Sequence, residues 1–230
     1  MAEIIKILII VTGITHYENG TPTGLWLSEL THLYDEAKKE GWEITIASPQ
    51  GGNTPIDPES LKPMLLDKIS KKYYEDEAFM KELEQTKSLS EVADETFDLV
   101  YLAGGHGTMY DFPNDETMQQ IVAAHYQKGK KIGAICHGVG GLLNVRLSDG
   151  NYLIKDKKMT GFSWFEESLA SRKKAVPFNL EKELKNRKPN YRKAFIPMTS
   201  KVVVDGNLIT GQNPFSSKKM AKVVVEEMKK

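Results

Sequence analysis

Cysteine is almost absent: Cys136 is the single one in 230 residues. No internal disulfide can form, and any thiol chemistry falls to one side chain. Long apolar runs are missing too, since none approaches the roughly 20 residues that span a bilayer. The opening MAEIIKILII holds an apolar run, but an acid precedes it and no small-residue cleavage site follows, so it reads as a first strand and not an export signal. These absences place the expected address in the cytoplasm. Excess charge of either sign is lacking: 31 Lys plus Arg balance 31 Asp plus Glu, so no overall field draws polyanions or membranes. The only arginines are Arg146, Arg172, Arg187 and Arg192, too few for a bidentate phosphate- or base-reading surface. Nucleic acid and membrane are excluded as partners. H-x-x-x-H, paired C-x-x-C, G-x-G-x-x-G and G-K-[ST] spacings are all absent, so neither a metal site nor a cofactor is expected.

What is present is alternation of strand and helix. Ile4 to Val11 is a near-continuous aliphatic run, the pattern of a parallel strand buried on both faces. Thr23 to Glu40 carries Trp26, Leu30, Leu33 and Ala37 at helical spacing, with Gly41 as the stop. Glu43 to Ala47 and Phe97 to Leu102 read as strands, Thr117 to Gln127 as a helix, and Lys131 to Ile135 as a strand entering Cys136. Lys201 to Val204 and Asn207 to Thr210 flank Asp205-Gly206 as a hairpin, and Ser216 to Met228 closes the chain as a helix. The fold class is α/β: one flavodoxin-like, doubly wound domain over 1–230, with a mostly parallel sheet and helices on both faces. Two segments, at about 49–96 and 163–195, are longer than crossovers need. They read as caps or interfaces, or as solvated decoration. A charged helical stretch spans Tyr73 to Leu83 in the first.

Three places could carry chemistry. K-I-G-A-I-C-H-G-V-G-G runs from a buried strand into a glycine-punctuated helix start with Cys136 at the junction. A nucleophile on such an elbow stands above the carboxyl edge of the sheet, and N–H groups with the following helix would lower its pKa; an inert buried thiol is the alternative. Glu29 falls on or beside the stripe of the first helix that faces the sheet. It either closes an internal hydrogen-bond network or stands beside the thiol with its proton coupled to it. A-G-G-H-G-T, Ala103 to Thr108, offers successive N–H groups for an oxyanion hole. His137 could serve as general base and His106 could line the same cavity. His125 reads as a satisfied core histidine, and His16 and His32 as surface residues.

Taken together, A-I-C-H-G at 134–138, A-G-G-H-G-T at 103–108, T-G-L-W-L-S-E at 23–29, T-G-F-S-W-F-E-E at 160–167 and the terminal I-T-G-Q-N-P resemble the class I glutamine-amidotransferase-like superfamily. Within it, the chain is most similar to the heat-shock chaperone branch of glyoxalase III enzymes, beside the Parkinsonism-associated deglycase and the intracellular peptidases. The resemblance implies Cys136 as nucleophile, His137 and Glu167 as its triad partners with Glu166 the neighbouring alternative, and Glu29 as the acid that shares a proton with the thiol. It assigns the oxyanion hole to the backbone of Gly105 and His106. No histidine follows His137, so the C-terminal histidine of true glutaminases has no counterpart. The implied activity is conversion of methylglyoxal, a small dicarbonyl, and water to D-lactate without glutathione. A holdase for unfolded client proteins, and a cysteine peptidase or deglycase, are the alternatives. The resemblance further implies a homodimer, for which Tyr17, Trp26 and the Pro-rich insertion could supply surface. Ready oxidation of Cys136 to a sulfinic acid is expected from the elbow and Glu29.

Overall fold

Ile7, Leu8, Ile9 and Ile10 are fully buried, as a strand covered on both faces requires. In the computed structural model, which describes residues 4–230, they belong to β1 (Lys6–Ile10); residues 1–3 of the opening run lie outside the described part. From β1 the chain passes through α1 (Leu27–Lys39) to the parallel neighbour β2 (Glu43–Ser48). Residues 49–96 then hold a 3-10 turn (Pro58–Leu61), α2 (Lys68–Tyr74), α3 (Glu77–Glu84), β3 (Lys87–Ser88) and α4 (Leu89–Val92). The chain next crosses to the other side of β1 and adds β4 (Leu99–Leu102), α5 (Thr108–Asp111), α6 (Glu116–Gln127) and β5 (Lys131–Ile135). After β6 (Lys158–Met159), the second long segment folds into α7 (Trp164–Leu169), α8 (Leu180–Asn186) and β7 (Asn190–Tyr191). The chain ends with β8 (Val202–Asp205), β9 (Leu208–Gly211) and α9 (Ser217–Met228).

The main sheet has the order β3-β2-β1-β4-β5-β9-β8, parallel throughout except for the antiparallel β8–β9 edge; β6 and β7 form a separate parallel pair. This is the flavodoxin-like, doubly wound arrangement. Its winding reverses between β1 and β4, which opens a crevice at their carboxyl ends where folds of this kind place ligands.

Several boundaries differ from the sequence reading. The first helix begins at Leu27, not Thr23, because Thr23 to Trp26 stays extended: Leu25 N–H donates to Pro55 O at 2.8 Å and Trp26 N–H to Gly104 O at 3.1 Å. The stretch from Tyr73 to Leu83 is two helices, since the Asp76 side chain accepts from the N–H groups of Ala78 and Phe79 and starts α3 anew. The hairpin closes one residue later than expected. Asp205 pairs with Leu208, and the turn is Gly206-Asn207, with Gly206 at φ +60°. Edge strand β3 carries no alternating pattern over its two residues and was not expected at all.

Candidate active site

Strand β5 delivers Cys136 at φ +58°, a left-handed conformation that a non-glycine residue holds only under constraint from its surroundings. The chain then enters a 3-10 turn, Cys136–Leu142, instead of the expected α-helix. The thiol is 1% exposed, so the elbow does not lift it into solvent as the sequence reading expects. Its Sγ lies 3.3 Å from His137 Nδ1. His137 Nε2 lies 2.7 Å from Glu167 Oε2, and His106 Nε2 lies 2.8 Å from Glu167 Oε1. One carboxylate therefore bridges two imidazoles whose ring centres are 4.0 Å apart.

Of the two neighbouring acids, Glu167 faces His137. Glu166 turns the other way: its Oε2 accepts from the N–H and hydroxyl of Ser163, and its Oε1 from Met198 N–H, Gln212 Nε2 and Asn213 Nδ2. The Ser163 hydroxyl accepts from Glu166 N–H in return, a capping box that starts α7 and fixes Glu167 one residue on. Gln212 and Asn213 belong to the I-T-G-Q-N-P segment, which thus serves as a clasp for Glu166. The T-G-F segment packs on the elbow: Phe162 N–H donates to Cys136 O at 3.3 Å, and its ring centre lies 4.4 Å from that of His137.

Glu29, in the first turn of α1, is fully buried, and its carboxyl oxygens face the Cys136 thiol and the Gly104 backbone without well-formed hydrogen-bond geometry to either. Burial pushes its pKa well above the ordinary carboxylate range, opposed by the Cys136 thiol and the Gly104 backbone. Burial also pushes the Cys136 thiol up, and the Glu29 carboxylate adds to the rise against the His137 N–H. The lowered thiol pKa expected from the elbow alone is not found. A short 3-10 turn and one N–H do not offset full desolvation beside an acid. Glu167 moves in the opposite sense: burial alone would raise it, but the charges and N–H groups of His137 and His106 hold it well below its ordinary range. Burial and the neighbouring His137 lower the pKa of His106.

The glycine turn between β4 and α5 is backbone for steric reasons. A Cβ on Gly104 would sit 2.4 Å from Glu29 Oε2 and 2.6 Å from Ile135 O. Gly105, at φ +115°, would place one 2.2 Å from Gly24 O. The N–H groups of Gly105 and His106 donate to nothing among the described residues. Two neighbours were not placed at the site from sequence. Tyr17 is buried with its hydroxyl unpartnered, its ring centre 5.6 Å from that of His106. Asp57 accepts from the Thr23 hydroxyl at 3.0 Å. These positions lie far apart along the chain and carry no local motif. Tyr17 is also unavailable as the dimer surface the sequence reading gave it. His125 is a satisfied core residue, with Nε2 accepting from Phe97 N–H and Nδ1 donating to Ile121 O. His16 is exposed. His32 is not a surface residue: it is 8% exposed and paired with Asp67 at 2.9 Å. By donor type and spacing, His106, His137 and Glu167 are the group that could hold a metal ion, with ligand atoms within 4.8 Å of one another.

The model of the DJ-1/PfpI family matches residues 23–227. The chain belongs to that family. Glyoxalase 3 of Candida albicans is 30% identical over 96% of this chain and 97% of its own length. The crystal structure of glyoxalase III from the same organism has a TM-score of 0.85, covering 97% of both chains. The Rapid Encystment Protein 24 kDa of Francisella tularensis is similar at 37% identity and a TM-score of 0.91, over 98% of this chain and 99% of that one. In this DJ-1/PfpI chain Cys136 and His137 follow β5, Gly105 and His106 follow β4, and Glu29 and Glu167 come from the first turns of α1 and α7.

Proposed function

We propose that this DJ-1/PfpI protein is a glutathione-independent glyoxalase that converts methylglyoxal and water to D-lactate. The observation that carries the reading is the unbroken row Cys136, His137, Glu167, with the buried carboxyl of Glu29 beside the thiol. The Cys136 thiolate adds to the aldehyde carbon and forms a hemithioacetal. Glu29 and His137 then move a proton from that carbon to the adjacent carbonyl carbon through an enediol, which leaves a lactoyl thioester. Water cleaves the thioester and restores the thiol. The aldehyde carbon is oxidised and the ketone carbon reduced within one molecule, so the electrons balance without an external acceptor. The unpaired N–H groups of Gly105 and His106 suit the oxyanion that develops at each addition.

A thiol that is 1% exposed favours a two- or three-carbon aldehyde over a polypeptide, which sets the peptidase reading aside. Holding of unfolded clients has separate support in the exposed Met64, Phe195 and Ile196. Such holding is independent of the thiol, and Cys136→Ala should suppress thermal aggregation of a client as well as wild type does. The enzymatic reading is tested with purified protein, methylglyoxal and no glutathione, followed by detection of D-lactate. Wild type should produce it and Cys136→Ser should not; equal production by both would overturn the mechanism.

A further inference from the structure

An apolar hollow lies apart from the thiol. A cavity of about 590 Å³ lies between α1, the start of α2 and the start of α9, within the size range of small-molecule sites. Trp26, Leu65, Ile69 and Phe215 give it apolar walls. Lys68 and Lys218 stand on its rim, and neither ammonium has a carboxylate within 4 Å among the described residues. The acid that lines the cavity, Asp67, is already engaged: it accepts from His32 Nε2 at 2.9 Å and from the N–H groups of Ile69 and Ser70. His32 is more than nine-tenths buried, lines the same cavity, and its Nδ1 has no hydrogen-bond partner among the described residues. Two free ammonium groups thus stand beside apolar walls whose single carboxylate is already engaged.

We propose that this cavity binds a small amphipathic anion, a carboxylate or sulfonate head on an apolar tail or ring. The head lies between Lys68 and Lys218, and the tail lies against Trp26, Leu65 and Phe215. Charge complementarity separates this occupant from an apolar cation of equal size. A neutral apolar surface of a second copy would leave both ammonium groups without partners. The site is independent of the thiol chemistry, although Trp26 also supplies the N–H that bonds Gly104 O beside Glu29.

The probe is 8-anilinonaphthalene-1-sulfonate, titrated into the full chain and read by its own emission and by quenching of tryptophan. One saturable site per chain is expected, displaced by octanoate and not by octylammonium. The Lys68→Glu/Lys218→Glu double variant should weaken binding at least tenfold while its melting curve stays that of wild type. Phe215→Ala should weaken both the probe and octanoate. Unchanged affinity in the double variant, equal displacement by octylammonium, or a dimer by light scattering that excludes the probe would each overturn the assignment.

Discussion

Burial raises the proton affinity of Glu29 and of Cys136 together, and the space between them favours one negative charge at a time. Two of the causes that raise the thiol come from an ionised Glu29; when Glu29 holds the proton they vanish, and its O–H can donate to sulfur. Glu29→Gln keeps a neutral donor and loses the ability to carry a proton. Alkylation of Cys136 by iodoacetamide should therefore persist within a few-fold in this variant, while kcat for D-lactate falls on the order of 10²-fold. Parallel loss of both would mean that Glu29 forms the nucleophile and carries no proton in turnover. Stability separates the acids as well. A carboxyl with a raised folded pKa supports the fold below its unfolded value, and that support is lost as pH rises toward the folded pKa. Wild type should thus weaken relative to Glu29→Gln from about pH 4.5 upward, seen as a melting-temperature gap that widens with pH. Glu167 has the opposite sign: its contribution is present at neutral pH and fades as acid titrates it. Glu167→Gln should lower the melting temperature at pH 7, because an amide can accept from one imidazole only and turns its NH₂ toward the other, a loss of about 1–3 kcal/mol. Glu29 could be picked out from sequence as a carboxylate on an apolar stripe, whereas Glu167 was implied only by the family resemblance, with Glu166 beside it left as the alternative. The second imidazole on Glu167, from His106, could not be picked out, because 61 residues separate them.

Helix α7 carries Glu167, and its start depends on Ser163 and Glu166. Ser163→Ala should cost about 1 kcal/mol of stability and lower kcat through misplacement of Glu167. A melting curve and a kinetic assay on the same preparation check both; lost stability with unchanged kcat would show that α7 does not position the acid. The glycine turn after β4 admits no such adjustment. Gly104→Ala forces Glu29 or the elbow to move, and should destabilise by about 1–3 kcal/mol in the manner of an overpacked core. Elements with long aliphatic runs, such as β1 and β5, were legible to within a residue or two because burial on both faces leaves a continuous pattern. Short elements were not: β3 and the 3-10 turn after Cys136 have lengths and conformations set by neighbours, and the extended stretch before α1 is held by Pro55 and Gly104, partners that helical spacing cannot reveal.

At the scale of the molecule, six of the seven strands of the main sheet and their winding follow from the strand, helix and hairpin patterns, whereas β3 and the form of the insertions did not. The insertions supply β7, helix α7 with Glu166 and Glu167, and, through Leu65, Lys68 and Ile69, one wall of the anion cavity. The expected homodimer must find its surface without Tyr17; light scattering should give twice the 25.9 kDa chain mass at micromolar concentration, and a monomer throughout would remove it. One local torsion bears on the whole. Cys136 sits where an L side chain costs about 1–2 kcal/mol and glycine costs nothing. At an ordinary position alanine outlasts glycine in thermal unfolding; here Cys136→Gly should melt at or above Cys136→Ala. Selection for durability alone would thus drift toward glycine at this position, and the backbone would survive, sturdier and inert. The thiol is held there against the conformational preference of its own scaffold.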